Sequence, residues 1–148
     1  MQISYKGDYA LKAVLDLALH YGQGVVSIHD MAKRLDIPFK FLEQVLLELK
    51  QAGFVDSKRG IKGGYFLANP PRQITIGSVV RFIDGPLEPI ACANLKTNYK
   101  GCRDINTCLL RGIWIEVTQA ISDIIDKITF QDICDKIRAA KGDLVYQI

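Results

Sequence analysis

The stretch Pro38–Ala68, PFKFLEQVLLELKQAGFVDSKRGIKGGYFLA, decides the fold, because it reads as a helix, a strand, a glycine-rich basic tip and a second strand. Leu42, Val45, Leu46 and Leu49 recur at three- and four-residue spacing and give the helix one apolar stripe for a core. The opposite face carries Lys40, Glu43, Gln44 and Lys50, a surface fit for water or for base edges. Pro38 suits a first helical turn, where its missing N–H would be unpaired anyway, and Gly53 sits where the helix must stop. Phe54-Val55 and Tyr65-Phe66-Leu67 are short strand-like runs joined by Lys58-Arg59-Gly60-Ile61-Lys62-Gly63-Gly64. Three glycines let this link turn tightly and three cations surround it, which fits a narrow minor groove, where the potential of DNA is most negative. A helix followed by a basic hairpin is a winged helix.

Upstream, Tyr9, Ala13, Val14, Leu17, Ala18 and Tyr21 share one helical side, which predicts a core helix over Lys6–Tyr21. Ser27, with Asp30 three residues on, predicts an N-cap and a short helix running through Leu35. Asp36-Ile37-Pro38 then turns the chain into the organising helix, completing a helix-turn-helix. Downstream, Asn69-Pro70-Pro71 breaks regular structure, and Thr75 opens a helix carrying Ile76, Val79, Val80 and Phe82.

The segment from Gly85 to about Asn106 has no hydrophobic period, and a structureless stretch beyond about 12 to 15 residues is uncommon in a compact domain unless it has a function. Beyond it, Trp114, Val117, Ile121, Ile124, Ile125 and Ile128 recur at helical spacing over 106–127, an apolar face too large for so small a domain to cover. A second copy would cover it, most simply as a twofold dimer. A last helix, Phe130–Ala140, is expected to add Ile133 and Ile137 to that cluster. The fold class is therefore mostly α with a small β-hairpin: a winged helix-turn-helix domain over 1–84, a cysteine-bearing loop over 85–108, and a long dimerisation helix with a C-terminal helix over 109–148.

Composition narrows the function classes. The net charge of +3 is mild, but seven Lys or Arg against four Asp or Glu between Lys33 and Lys62 concentrate the whole excess near the helix and hairpin. Two scattered histidines support no nucleophilic triad, and Gly60–Gly64 joins strands rather than opening a phosphate-binding helix, so no enzyme is expected. Met1–Asp16 lacks the cationic start and apolar run of a signal peptide, and no stretch approaches the roughly 18 apolar residues of a membrane span. A cytoplasmic protein with reduced cysteines is expected.

Cys92, Cys102 and Cys108 follow a C-x9-C-x5-C spacing in or beside the loop. Three thiolates on one segment can converge on an iron-sulfur cluster or zinc, and Lys96, Lys100 and Arg103 would favour the thiolate. The spacing leaves free or redox-switching thiols open, as it does a zinc-stabilised interaction module that never reads DNA. Cys134, beside Ile133 on an apolar helix, reads as a small core residue.

FLEQVLLELKQAGFVDSKRGIKGGYFLA closely resembles the signature of the winged-helix repressor family that includes the iron-sulfur cluster regulator IscR, the nitric-oxide-responsive NsrR and the cysteine-metabolism regulator CymR. The likeness runs over nearly the whole chain. It implies a homodimer that places recognition helices in successive major grooves of a double-stranded operator, with wings in the flanking minor groove. The match assigns DNA contacts to Phe39, Lys40, Phe41, Glu43 and Gln44 on the helix and to Arg59, Gly60, Lys62 and Gly63 in the wing. Three loop cysteines resemble the cluster-bearing branch, which implies an iron-sulfur cluster, of the 2Fe-2S type if IscR-like, on Cys92, Cys102 and Cys108. The implied function is a repressor of cluster-assembly genes, with an NsrR-like 4Fe-4S nitric-oxide sensor as the alternative. Two departures bear on the ligand set: the first two cysteines stand farther apart than in IscR, and the histidine expected three residues after the third cysteine is Arg111. Some NsrR-like members use an aspartate near the start of the first helix, supplied by the partner subunit, and Asp8 matches that position.

Overall fold

The computed structural model describes residues 1–146. Six helices and a two-stranded antiparallel hairpin run in the order α1 (Tyr5–Leu19), α2 (Ile28–Leu35), α3 (Phe39–Gln51), β1 (Val55–Lys58), β2 (Gly64–Leu67), α4 (Ile76–Asp84), α5 (Leu109–Ile125) and α6 (Phe130–Tyr146). Short 3-10 turns at Pro71–Gln73 and Ala91–Ala93 interrupt the connections before α4 and α5.

The core forms where the apolar stripes of α1, α2 and α3 meet. Ala10, Ala13, Val14 and Leu17 from α1 close against Met31 of α2 and against Leu42, Val45, Leu46 and Leu49 of α3. Val55 and Leu67, paired across the hairpin, join this core, as does Val79 of α4. Phe130 and Cys134 of α6 belong to the same core, because α6 folds back onto α1. Ile133 accordingly packs on this core rather than on α5, where the sequence alone placed it.

Two local expectations shift by a residue or a role. Pro38 is the N-cap of α3 and lies outside its first turn. Ser27 has the extended backbone of an N-cap, yet its hydroxyl caps nothing, so the side-chain cap expected at α2 does not form. The serine that does cap is Ser4: its hydroxyl accepts from the Gly7 N–H at 2.9 Å and donates to the Asp84 carboxylate, tying the start of α1 to the end of α4. Asp84 also accepts from the Ser4 backbone N–H at 3.0 Å, and a Cβ at Gly7 would run into the same carboxylate.

An ion pair with its carboxylate buried ties α1 to α2. Asp16 is 6 % exposed and receives Arg34 Nε at 3.0 Å and Arg34 Nη2 at 2.8 Å, a bidentate fork that satisfies both carboxylate oxygens. Hydrogen bonding to Asp16 raises the Arg34 pKa further above its ordinary value.

Candidate functional site

The hairpin register, Val55↔Leu67 through Lys58↔Gly64, leaves residues 59–63 as the tip of the wing. Gly60 turns the chain at φ +113°, a conformation closed to most side chains. A Cβ at Gly63 would strike the Lys58 carbonyl, so the closing residue of the tip must also be glycine. Tyr65 pairs its backbone with Val26 in both directions, at 2.8 Å each way, which fastens the wing beside the start of α2. Burial, with the Glu43 charge second, pushes the Tyr65 hydroxyl above its ordinary pKa.

Each residue that the sequence assigned to the helix face stands on the outer side of α3. Lys40, Phe41, Glu43 and Gln44 are exposed, with Phe41 58 % accessible despite its apolar ring. Phe39 stacks on His29 of α2 with ring centroids 4.6 Å apart. Phe41 and Gln44 line a groove of about 620 Å³ with Tyr5, Lys6 and Tyr9 of α1. A second groove, about 610 Å³, runs between α3 and the wing and includes Ser27, His29, Lys50, Lys58, Arg59 and Gly63. Lys50 is held there by Ser57 Oγ at 2.7 Å and Asp56 at 3.6 Å. Among the described residues Lys40, Lys58, Arg59 and Lys62 form no ion pair, so four cations face outward uncompensated around the helix and wing.

The cysteine segment is organised from α5. Cys108 is the N-cap residue of that helix, and Arg111 in its first turn donates from Nε to the Cys92 carbonyl at 2.7 Å and from Nη1 to the Ile105 carbonyl at 3.4 Å. Arg111 thus staples both ends of the segment to one helical turn, a role that no spacing argument revealed. Cys92 is half-buried, whereas Cys102 and Cys108 are exposed. Among the described residues no three His, Cys, Asp or Glu side chains stand close enough to share a metal ion, so the single chain does not gather the three thiols. The donor set itself fits a soft metal centre: three thiols on one segment, the first of them four residues after Glu88, whose buried Oε2 has no hydrogen-bond partner among the described residues. Asp8, in the first turn of α1, is half-exposed and held by Lys12 Nζ at 2.6 Å.

Helix α5 joins the winged helix chiefly through Arg81 of α4, whose guanidinium meets the Asp126 carboxylate and donates to Ser122 Oγ at 3.0 Å. That ion pair raises the Arg81 pKa above its ordinary value. No residue of α5 is buried. Leu110, Ile113, Trp114, Val117 and Ile124 form an exposed stripe along it, with Ile113 52 % and Ile124 61 % accessible.

The model of the Rrf2 family, described as an iron-dependent transcriptional regulator, matches residues 3–136. The chain belongs to the Rrf2 family. It is 38% identical over 136 residues to an rrf2-like protein of Rhodobacter capsulatus, covering 88% of this chain and 90% of that one. It is 32% identical over 133 residues to the regulator IscR of Pectobacterium carotovorum, covering 90% of this chain and 79% of that one. Among solved structures, IscR of T. potens superposes with a TM-score of 0.76 at 31% identity, over 95% of this chain and 90% of the other. CymR, the global cysteine regulator of B. subtilis, gives the same TM-score of 0.76 at 30% identity, over 92% and 98%. The protein is accordingly an Rrf2-family transcriptional regulator and not an enzyme, and its winged-helix fold is that of these relatives. Regulation of transcription implies binding to DNA. Among the described residues no helix is long and apolar enough to cross a membrane.

Proposed function

We propose that this Rrf2-family regulator is a homodimeric repressor that senses cellular iron-sulfur status, carrying a 2Fe-2S cluster on Cys92, Cys102 and Cys108 and acting on cluster-assembly genes. The observation that carries this reading is the staple at α5. Cys108 occupies the N-cap position of the helix and Arg111 holds the Cys92 carbonyl, so any change at the thiols is transmitted to the helix that bears the unpartnered apolar stripe. Similarity to IscR supports the choice of group. When bound, the cluster supplies a redox-active iron centre. Asp8 of a second copy is the candidate for a fourth ligand.

Two α5 stripes pair about a twofold axis and set the recognition helices about 34 Å apart, one turn of DNA. Gln44 reads adenine, and Glu43 accepts from cytosine N4 while repelling guanine's acceptor edge. Phe39 and Phe41 offer apolar contact to thymine methyls, and Lys40 and Lys62 neutralise phosphate. Arg59 enters the minor groove, while Gly60 and Gly63 let the wing backbone approach. Residues 1–84 then act as the DNA-binding unit, 85–108 as the sensor loop and 109–148 as the arm that pairs the subunits and returns to the core through α6.

The test is an absorption spectrum of protein purified without oxygen, with iron and acid-labile sulfide counted per subunit. Resolved visible bands with about two of each support the reading, and about four of each move it to a 4Fe-4S sensor. A colourless protein that takes up no cluster on reconstitution overturns it. A thiol–disulfide switch is the second reading, favoured by the exposure of Cys102 and Cys108. It requires reversible loss of free thiols under oxidant.

A further inference from the structure

Ile61 stands at the tip of the wing with 106 % relative exposure, touching nothing that the fold needs. Its surroundings are wholly cationic: Lys58, Arg59 and Lys62 make no ion pair among the described residues, and the sequence holds no acid between Asp56 and Asp84. A branched apolar side chain carried by three cations on a glycine hinge complements one surface well, a polyanion whose groove walls are apolar sugar. We propose that Ile61 is a specificity-determining residue that seats in the minor groove and selects A·T over G·C beneath the wing. The inference rests on the DNA-binding role assigned to the wing above.

The chemistry follows from the groove floor. A·T and T·A pairs present only acceptor atoms there, whereas G·C adds the guanine N2 amino group, which projects into a groove only about 6 Å wide. An isoleucine with no polar atom gains contact with the sugar walls over A·T. Over G·C it meets the amino group and strips that donor of water without offering an acceptor. Arg59 and Lys62 supply charge, which is blind to this difference except through groove width. Ile61 supplies the steric part of the discrimination.

The experiment uses full-length protein and a duplex that the wild type selects from a random pool, with the pairs under the wings mapped by protection of adenine N3. Those pairs are then replaced by G·C and, separately, by inosine·C, which keeps the pairing edge but lacks the N2 amino group. The wild type should lose about tenfold in affinity on G·C and regain most of it on inosine·C. Ile61→Ala should bind the selected duplex about tenfold more weakly, near the lower end of the value of burying one isoleucine, and should discriminate G·C by less than about threefold. Its salt dependence should match the wild type, whereas Arg59→Ala should reduce the salt slope by about one. Its melting temperature should also be unchanged, because the side chain makes no contact in the free protein. Wild-type affinity and discrimination in Ile61→Ala would overturn the assignment and leave the tip to a protein partner. So would a loss that comes with a changed salt slope. A wild type that selects no duplex would instead overturn the DNA-binding role of the wing, and this inference with it.

Discussion

Replacing Ile113 tests whether α5 is the surface through which two copies pair. Ile113 is 52 % exposed in the single chain, on the stripe that runs from Leu110 to Ile124. Burying a whole isoleucine side chain is worth about 1.5 to 3 kcal/mol, so covering the exposed half contributes about 1 kcal/mol per copy. A twofold axis counts the residue twice, giving about 2 kcal/mol, or about a 30-fold weaker dimer for Ile113→Ala. Alanine keeps the helix propensity of the site, and no residue of α5 is buried, so the fold of each subunit should survive. Ile113→Asp should go further, because two carboxylates would be desolvated in one interface. Sedimentation equilibrium over nanomolar to micromolar protein measures both variants against wild type. If both dimerise with wild-type affinity, the stripe is not the interface and the reasoning from exposed apolar area fails.

Three further outcomes follow from particular contacts. Gly63→Ala forces a Cβ against the Lys58 carbonyl and should open the wing tip, lowering DNA affinity about tenfold in fluorescence anisotropy while the helical circular dichroism stays intact; unaltered affinity would show that the tip tolerates the methyl group. Arg111→Ala removes two hydrogen bonds from a charged donor, worth about 1.5 to 3 kcal/mol each at most, and should raise amide exchange across 90–108 without changing that of α3; unchanged exchange would remove the staple from the mechanism. Burial raises the Cys134 thiol pKa above its ordinary value, so Cys134 stays protonated and shielded at neutral pH. In cluster-free protein a thiol reagent should therefore modify Cys102 and Cys108 promptly and Cys134 only after denaturation, and rapid modification of Cys134 in the native state would contradict the packing of α6.

The core helices and the wing were legible because their information is local. A stripe at three- and four-residue spacing names the buried face of α3, and Leu42, Val45, Leu46 and Leu49 are indeed its buried residues. Glycines flanked by cations announce a turn that few other residues permit, Gly60 through its positive φ and Gly63 through the close approach of the Lys58 carbonyl. Caps were less legible, since a serine before a helix is a candidate wherever it stands. Ser27 and Ser4 look alike in sequence, and only Asp84, eighty residues from Ser4, makes Ser4 the one whose hydroxyl caps a helix. The cysteine spacing offered candidate donors without their arrangement, because a loop with no hydrophobic period carries no rule for which side chains converge.

By itself the sequence determined the winged helix, the excess of cations on its outer face, the three-thiol segment and the apolar surplus of the long helix. Each is a matter of periodicity, charge count or residue chemistry within a few turns of chain. Tertiary structure alone decided that α6 returns to α1 to complete the core, that Asp16 is paired with Arg34, and that Arg111 fastens Cys92 to α5. Those contacts join residues distant in sequence, and their partners are chosen by the close packing of whole helices, which no local pattern encodes.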